Sequence, residues 1–279
     1  MNLDNKIAIV TAAGRGIGRG IALCLAEAGA DIVVNSFQEE TTAKVVAEVE
    51  ALGRKALPVP GDISQIGTIT QLIEKTLETF GRIDILVNNV GGGAPHPGES
   101  DGTLLGQLEL EWDNMYQQNL KAPVILCQAV APHLIKQNSG KIVTIASVAG
   151  RNTCTSKTSP IHYRAMKAGL IRYAQSLADE LGPHNINVNT VCPGYVYSST
   201  WERGARRMVE TREEYRALDP REWFIRLNQG KFPELSIPTP LMREQTVEDI
   251  GQAVLFLVSE AGKNITGQSL NVDGGRHKN

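Results

Sequence analysis

Residues 6–18 read KIAIVTAAGRGIG: a short β-branched run, then glycines at 14, 16 and 18, then the start of an amphipathic segment that continues to residue 29. A strand that breaks into glycines and resumes as a helix leaves backbone N–H groups uncovered at the helix N-terminus. The helix dipole favours an anion there, and the bare glycines let a pyrophosphate come close. The strict GxGxxG spacing fails. Its third glycine falls on Arg19 when counted from Gly14 and on Ile21 when counted from Gly16. The stretch therefore reads either as a pyrophosphate cradle or as a plain tight strand-to-helix turn.

The pattern repeats outward from this unit. Apolar runs at 31–35, 55–60, 83–88, 141–146, 186–191 and 269–272 alternate with helical segments at 39–52, 65–80, 112–137, 160–181 and 247–258. Pro123 and Pro132 are expected to bend or break the third of those helices. The runs are almost entirely apolar rather than alternating, as in strands covered on both faces. Repeated β-α alternation predicts an α/β fold, one doubly wound parallel sheet with helices on both faces and right-handed crossovers. Ligands of such sheets lie beyond the carboxyl ends of the strands, so the loops there should carry the chemistry. Residues 1–279 read as a single domain. Two segments interrupt the alternation: the Gly- and Pro-rich stretch 91–106, and an insertion at 195–245. Both follow strand ends and are expected to overhang the crevice.

Composition excludes several alternatives. The chain has 279 residues, 28 Lys+Arg against 30 Asp+Glu, a formal net charge of −2 and 42% hydrophobic residues. That balance speaks against a nucleic-acid binder, and no apolar run reaches the roughly 20 residues of a membrane span. Residues 1–6 are polar and lead straight into a strand, which predicts no signal peptide. Cys24, Cys127, Cys154 and Cys192 are scattered, with no CxxC and no neighbouring His pair. They read as free thiols of a cytoplasmic protein with no metal site.

Tyr163 and Lys167 stand at i and i+4, so on a helix they share a face one turn apart. Ser159 followed by Pro160 predicts the helix start, with Ser159 as N-cap and Pro160 as first residue. Tyr163 then falls in the first turn, where the dipole and a neighbouring ammonium both favour a phenolate. A tyrosine, ordinarily near about 10, would thereby approach acid/base use. Alone, a YxxxK is a weak signal and reads first as a solvated helix face. Its surroundings sharpen it: KIVTIAS ends in Ser147 one strand earlier, and Val191-Cys192-Pro193-Gly194 follows one helix later.

In this order the motifs resemble the short-chain dehydrogenase/reductase superfamily, in particular its 3-oxoacyl-carrier-protein reductase-like members, over about residues 5–275. The first turn resembles the family's TGxxxGxG, with Gly16 and Gly18 matching and Ala12 where the first glycine stands. A Cβ at that position predicts a negative φ. Asp62 after the third run, Asn88-Asn89-Val90-Gly91 after the fourth, Asn119 before Leu120-Lys121, and the closing ITGQ and VDGG stretches also match. The resemblance implies a Rossmann-type fold and an NAD(P)(H)-dependent oxidoreductase that interconverts a ketone and a secondary alcohol by hydride transfer. It assigns proton exchange with the substrate oxygen to Tyr163 and the nicotinamide ribose, together with a lowered Tyr pKa, to Lys167. Polarisation of the carbonyl falls to Ser147, and a relay water near Lys167 to Asn119. Cofactor contacts are implied at Thr11, Ala12, Gly14, Arg15, Gly16, Ile17 and Gly18, at Ser36, Asp62, Ile63, Asn89 and Gly91, at Tyr163 and Lys167, and at Pro193, Gly194, Val196 and Ser198. The family is usually tetrameric, and the apolar stretch 124–130 fits either a helix-paired interface or core packing.

Some positions depart from the family or stay open. Ser147 and Tyr163 are sixteen positions apart, a few more than usual, so Ser156 and Ser159 remain alternatives for the serine role. His162 reads as packing or surface rather than a base. The second run ends at Ser36, where an acidic residue would hold a ribose 2′-hydroxyl, while Arg15 is able to pair with a 2′-phosphate. NADP is therefore expected, with NAD as the alternative. In the insertion, WERGARRMVETREEYRAL reads as an amphipathic lid helix, or as one whose Arg203, Arg206 or Arg207 receives an anionic group. Trp201, Trp223, Phe224 and Phe232 serve a pocket wall or a lid core. His96 and the loop 91–98 are expected opposite. A fatty thioester, a sugar or polyol, and a cyclic alcohol or steroid are all open as substrates. The rival function is a catalytically inactive dinucleotide-binding sensor or scaffold.

Overall fold

β1 (Ile7–Val10) is four apolar residues, all buried, and its alternate side chains enter two different cores. Ile7 and Ile9 pack on one face of the sheet, against α3 (Ile66–Phe80), α5 (Ala122–Gln137) and α6 (Ile161–Leu181). Ala8 and Val10 pack on the other, against α1 (Gly16–Glu27), α2 (Glu39–Ala51) and α9 (Val247–Val258). A period of two with both faces covered is why the run is apolar throughout. The structure is a computed structural model and describes residues 1–92, 108–151, 160–235 and 238–278.

β2 (Asp31–Ser36), β3 (Ala56–Pro60), β4 (Ile85–Asn88), β5 (Gly140–Ile145), β6 (Ile186–Pro193) and β7 (Ser269–Val272) complete a seven-stranded sheet in the order β3-β2-β1-β4-β5-β6-β7. Every pairing is parallel, with Ile9 opposite Val33 on one side and Leu86 on the other. The direction of winding reverses between β1 and β4. Chain connections leave that point to opposite faces, which opens a crevice at the carboxyl ends. The doubly wound α/β reading thus holds, each expected strand included.

Two local readings need correction. The segment expected as one helix over 112–137 is α4 (Glu109–Tyr116), a wide π-type turn over Gln117–Lys121, and then α5. Pro123 supplies no N–H to bond back four residues, and the chain opens into the wider turn just before it. Pro132 lies inside α5 without ending it. At α6, Pro160 is the flanking cap residue with φ −59 and ψ 151, and the helix starts at Ile161, one residue later than expected. Ser159 lies outside the described residues, as do Ser156, Cys154 and His96.

Between β6 and α9 the insertion folds as α7 (Ser199–Thr211) and α8 (Pro220–Asn228) around its own core. Phe224 is wholly buried there among Ala205, Val209, Tyr215, Trp223 and Phe232. Where one amphipathic lid helix was expected, the insertion carries two helices. α8 starts on a signal visible in the sequence: Asp219 accepts the N–H groups of Arg221 and Glu222, and Pro220 occupies the first position. Among the described residues no helix is long and apolar enough to cross a membrane.

Candidate active site

β5 delivers Ser147 to the crevice. Ser147 is extended, and its Oγ accepts the Ala149 N–H at 3.1 Å, capping the short turn Val148–Gly150. α6 presents Tyr163 in its first turn and Lys167 one turn later. Ser147 lies near enough to Tyr163 for its hydroxyl to pull the phenol's pKa down, and the Lys167 ammonium lies 5.7 Å from the centre of the Tyr163 ring. Lys167 is 3% exposed, and its Nζ donates to the Ile145 carbonyl at 3.1 Å.

The electrostatics correct one expectation. Burial pushes the Tyr163 pKa up, the Ser147 hydroxyl pulls it down, and Cys192 adds to the rise; the net direction is upward. Lys167 lies over the ring and is spent on a carbonyl, so it does not offset the loss of water around the phenol. Its own pKa falls to about 8, because burial penalises the ammonium.

Asn119 sits wholly buried in the wide turn. Its Nδ2 donates to the Gly92 carbonyl at 3.2 Å and to Met115 Sδ at 2.9 Å, while its Oδ1 accepts the Gly92 N–H at 3.1 Å. It thus ties the α4–α5 junction to the end of β4. Gly91 has φ +133, and a Cβ there would stand 2.5 Å from Asn119 Oδ1 and 3.0 Å from Lys167 Nζ. Any side chain would fill the space between those two groups. Only a bare backbone lets the chain pass this close to both groups.

The first turn is over-determined. Thr11 is wholly buried, and its Oγ1 accepts the N–H groups of Asn89 at 3.0 Å and Val90 at 3.3 Å. Asn89 Nδ2 donates to the carbonyls of Thr11 and Ala12, and Asn35 Oδ1 accepts the Ala12 N–H at 3.5 Å. Ala12 itself has φ +49, against the expected negative angle. The two asparagines from β2 and β4 hold it in the left-handed region, which costs an alanine about 1–2 kcal/mol. Replacing Ala12 with Gly is expected to stabilise the protein by about 0.5–1 kcal/mol, after the larger unfolded-state entropy of glycine. Urea unfolding of the two proteins checks it, through a higher midpoint at unchanged slope.

Most of the remaining expected positions fall at or just after the ends of β1, β2, β3 and β6. Gly14 backs onto Ser36 and Thr41, whose hydroxyls are 3.1 Å apart, and Gly18 backs onto Asn89. Arg15, the residue before α1, is exposed, and Ile17 is half-buried in the first turn of that helix. Asp62 follows β3, its Oδ1 accepting the Ser64 N–H, and Ile63 is buried. The Gly194 N–H donates to the Val272 carbonyl at 2.9 Å, directly after Pro193. Val196 is buried and bridges Gln245. The Ser198 Cβ stands 3.6 Å from where a Cβ on Gly16 would lie, so the β6 and β1 loops face each other. Arg203, Arg206 and Arg207 are exposed on α7, Arg206 paired with Glu202 at 3.1 Å. Trp201, Trp223, Phe224 and Phe232 belong to the lid core, and His162 is buried with its ring 5.8 Å from that of Trp112.

Three residues that bear on the site escaped the sequence reading. Asn35 also donates to the Val59 and Gly61 carbonyls, so a polar residue inside an apolar strand was the signal. Thr41 reaches Ser36 from the first turn of α2. The wholly buried Cys192 thiol lies near Ser147, Tyr163 and Lys167, and burial pushes it up to about 12, so it stays protonated. Among the described residues no His, Cys, Asp and Glu cluster is able to hold a metal ion.

The family model for short chain dehydrogenases matches residues 6–208, and that for enoyl-(acyl carrier protein) reductases matches residues 225–277. The chain is 36% identical over 276 residues to a 3-oxoacyl-[acyl-carrier-protein] reductase of Synechocystis sp., covering 98% of this chain and 97% of the relative. Among solved structures it is similar to L-sorbose reductase from Gluconobacter frateurii, complexed with NADPH and L-sorbose. That likeness has a TM-score of 0.87 at 26% identity and covers 100% of this chain and 99% of the other. It is also similar to a 7α-hydroxysteroid dehydrogenase complexed with NADH and 7-oxo glycochenodeoxycholic acid. Here the TM-score is 0.80 at 32% identity, over 100% of this chain and 97% of the other.

Proposed function

The chain belongs to the short-chain dehydrogenase family, and from that premise we propose that it is an NADP(H)-dependent oxidoreductase that interconverts a ketone and a secondary alcohol. One observation carries the reading: Ser147, Tyr163 and Lys167 converge from β5 and α6 at the carboxyl end of β5. When bound, a nicotinamide dinucleotide supplies the hydride chemistry. Thr11, Gly14, Gly16, Ile17, Gly18 and Asn89 form or brace the cradle for its pyrophosphate. Asp62 and Ile63 border the adenine, and Pro193, Gly194, Val196 and Ser198 border the nicotinamide. Tyr163 exchanges a proton with the substrate oxygen. Ser147 hydrogen-bonds that oxygen and keeps the Tyr163 hydroxyl aimed. Lys167 and Gly91 receive the ribose, and Asn119 holds the Gly92 peptide at the mouth of a proton path. The complete set argues against an inactive sensor.

The preference for NADP(H) is supported at the end of β2. Ser36 and Thr41 offer two hydroxyls and no carboxylate, and the exposed Arg15 directly follows Gly14, which backs onto both of them. Glu39 and Glu40, in the first turn of α2, are exposed. Replacing Arg15 with Ala is expected to raise the NADPH dissociation constant about tenfold, as loss of a charged contact to phosphate does, and to leave NADH unchanged. Quenching or enhancement of nicotinamide fluorescence on titration reads both. Equal weakening for the two cofactors would contradict the preference.

The lid of residues 195–245 supports a substrate-covering role, since it starts at Gly194 and Tyr195 beside the crevice. A homotetramer is supported by the bare edge of β7, where Leu270 is 39% exposed beside Leu241 at 57% and Met242 at 50%. The activity is tested by following nicotinamide absorbance with L-sorbose, an acetoacetyl thioester, a 7-oxo bile acid and simple cyclic ketones. Absence of any cofactor oxidation across such a panel, with NADPH bound, would return the sensor reading.

A further inference from the structure

We propose that Arg151 is a positioning residue: it clamps the turn that follows β5 onto the edge strand β7 and so holds the Ser147 hydroxyl against Tyr163. The proposal rests on the role given above to Ser147 and Tyr163.

Arg151 is half-buried and ends the turn that Ser147 begins. The Gly150 N–H donates to the Ser147 carbonyl at 3.0 Å, and the Arg151 N–H to the Val148 carbonyl at 3.0 Å. The guanidinium then reaches across β6, which lies between β5 and β7 in the sheet. Its Nη1 donates to the Ser269 carbonyl at 2.5 Å and to Asn271 Oδ1 at 3.0 Å. Ser269 and Asn271 pair in register with Thr190 and Cys192, so the guanidinium passes close to the Cys192 thiol, whose pKa it lowers. Asn271 is itself fixed, its Nδ2 donating to the His277 carbonyl at 3.2 Å. The turn is held on a second side as well. A Cβ on Gly150 would stand 2.6 Å from the Lys167 carbonyl carbon and 2.7 Å from the Ala168 nitrogen. The turn therefore lies flat against the helix that carries Tyr163 and Lys167.

A serine on a three-residue turn has little to fix it by itself. Two hydrogen bonds from one charged, planar group to acceptors on a strand give it a rigid reference. Without the clamp the turn pivots on Gly150, and the Ser147 hydroxyl swings relative to Tyr163. Among the described residues, the groups that act on the Tyr163 side chain are the Ser147 hydroxyl, the Lys167 ammonium and the Cys192 thiol. Of these, Ser147 is the one that pulls the phenol toward ionisation in the free protein. A displaced serine thus leaves a signature that simple loosening of an edge strand does not.

The full chain, labelled with 13C at the tyrosine ζ carbon, is titrated by NMR as the unaltered protein and as Arg151→Met, Arg151→Lys and Asn271→Ala. The Tyr163 signal is the one missing from Tyr163→Phe. In Arg151→Met the Tyr163 midpoint is expected to rise by about half a pH unit or more, with part of the rise reversed in Arg151→Lys. Asn271→Ala, which removes one acceptor, shifts it less in the same direction and serves if Arg151→Met fails to fold. With a carbonyl substrate found by the panel above, kcat of Arg151→Met falls about tenfold while KM for NADPH holds. An unmoved Tyr163 midpoint in both Arg151→Met and Asn271→Ala, with only a lower melting temperature, overturns the proposal. Absence of turnover in the unaltered protein overturns the functional reading instead, and the titration is read independently of it.

Discussion

Tyr163→Phe is expected to bind NADPH as the unaltered protein does and to turn over about a thousandfold more slowly. The hydroxyl is the only atom removed, and the ring keeps its place in the first turn of α6 with Lys167 5.7 Å from its centre. What is lost is the group proposed to meet the substrate oxygen when its charge changes. The free-state pKa of Tyr163 lies above its ordinary value because burial outweighs the pull of the Ser147 hydroxyl. The turnover of the unaltered protein toward oxidation of an alcohol should therefore keep rising well into alkaline pH. Stopped-flow measurement of nicotinamide absorbance, with fluorescence titration of NADPH on the same samples, separates chemistry from binding. Turnover of the variant within tenfold of normal would remove Tyr163 from the mechanism.

Lys167→Met should do the opposite to stability and activity: turnover collapses, and the free protein becomes more stable. Lys167 is 3% exposed and holds one hydrogen bond, to Ile145, while burial lowers its pKa from 10.5 to about 8. The unfolded chain therefore holds more protons than the folded one between pH 8 and pH 10.5. Stability from this group rises with pH across that window, and at neutral pH the buried ammonium costs about 3 kcal/mol. Methionine fills nearly the same volume without the charge. It leaves the Ile145 carbonyl without a partner, which takes back about 1 kcal/mol. A net gain of about 2 kcal/mol at pH 7, shrinking toward pH 10, is the expected result by urea unfolding of the cofactor-free protein. A loss of stability at pH 7 would mean that the ammonium is better solvated than its surroundings suggest. The same arithmetic explains why such a lysine is a functional expense: the fold tolerates a costly charge where a cofactor is to meet it.

The strands were legible because each is short and apolar and most are followed by a helical period, and the order of motifs singled out Ser147, Tyr163 and Lys167, which the structure brings together. Other features were hidden for physical reasons. The wide turn around Asn119 depends on a missing N–H at Pro123, which the sequence shows, but a proline predicts a kink and not its form. Ala12 was expected at negative φ because a Cβ disfavours the alternative. Asn35 and Asn89, far away in sequence, overrule that preference at the turn. The direction of the Tyr163 shift depends on burial, which no spacing of residues states. In the lid, the amphipathic period of α7 was plain, whereas α8 was missed although Asp219-Pro220 announces it.

The order β3-β2-β1-β4-β5-β6-β7 has a consequence for synthesis. As the chain leaves the ribosome, β2 and β3 extend the sheet one way from β1. From β4 onward each strand is added to the other side in the order in which it is made. The pyrophosphate turn is thus complete in the first ninety or so residues, once Asn89 has emerged. The Ile145 acceptor of Lys167 is already made when α6 emerges, whereas the clamp on the Ser147 turn waits for β7, near the very end of translation. A nascent chain on this path acquires the proposed anion cradle early and the proposed clamp on the Ser147 turn last.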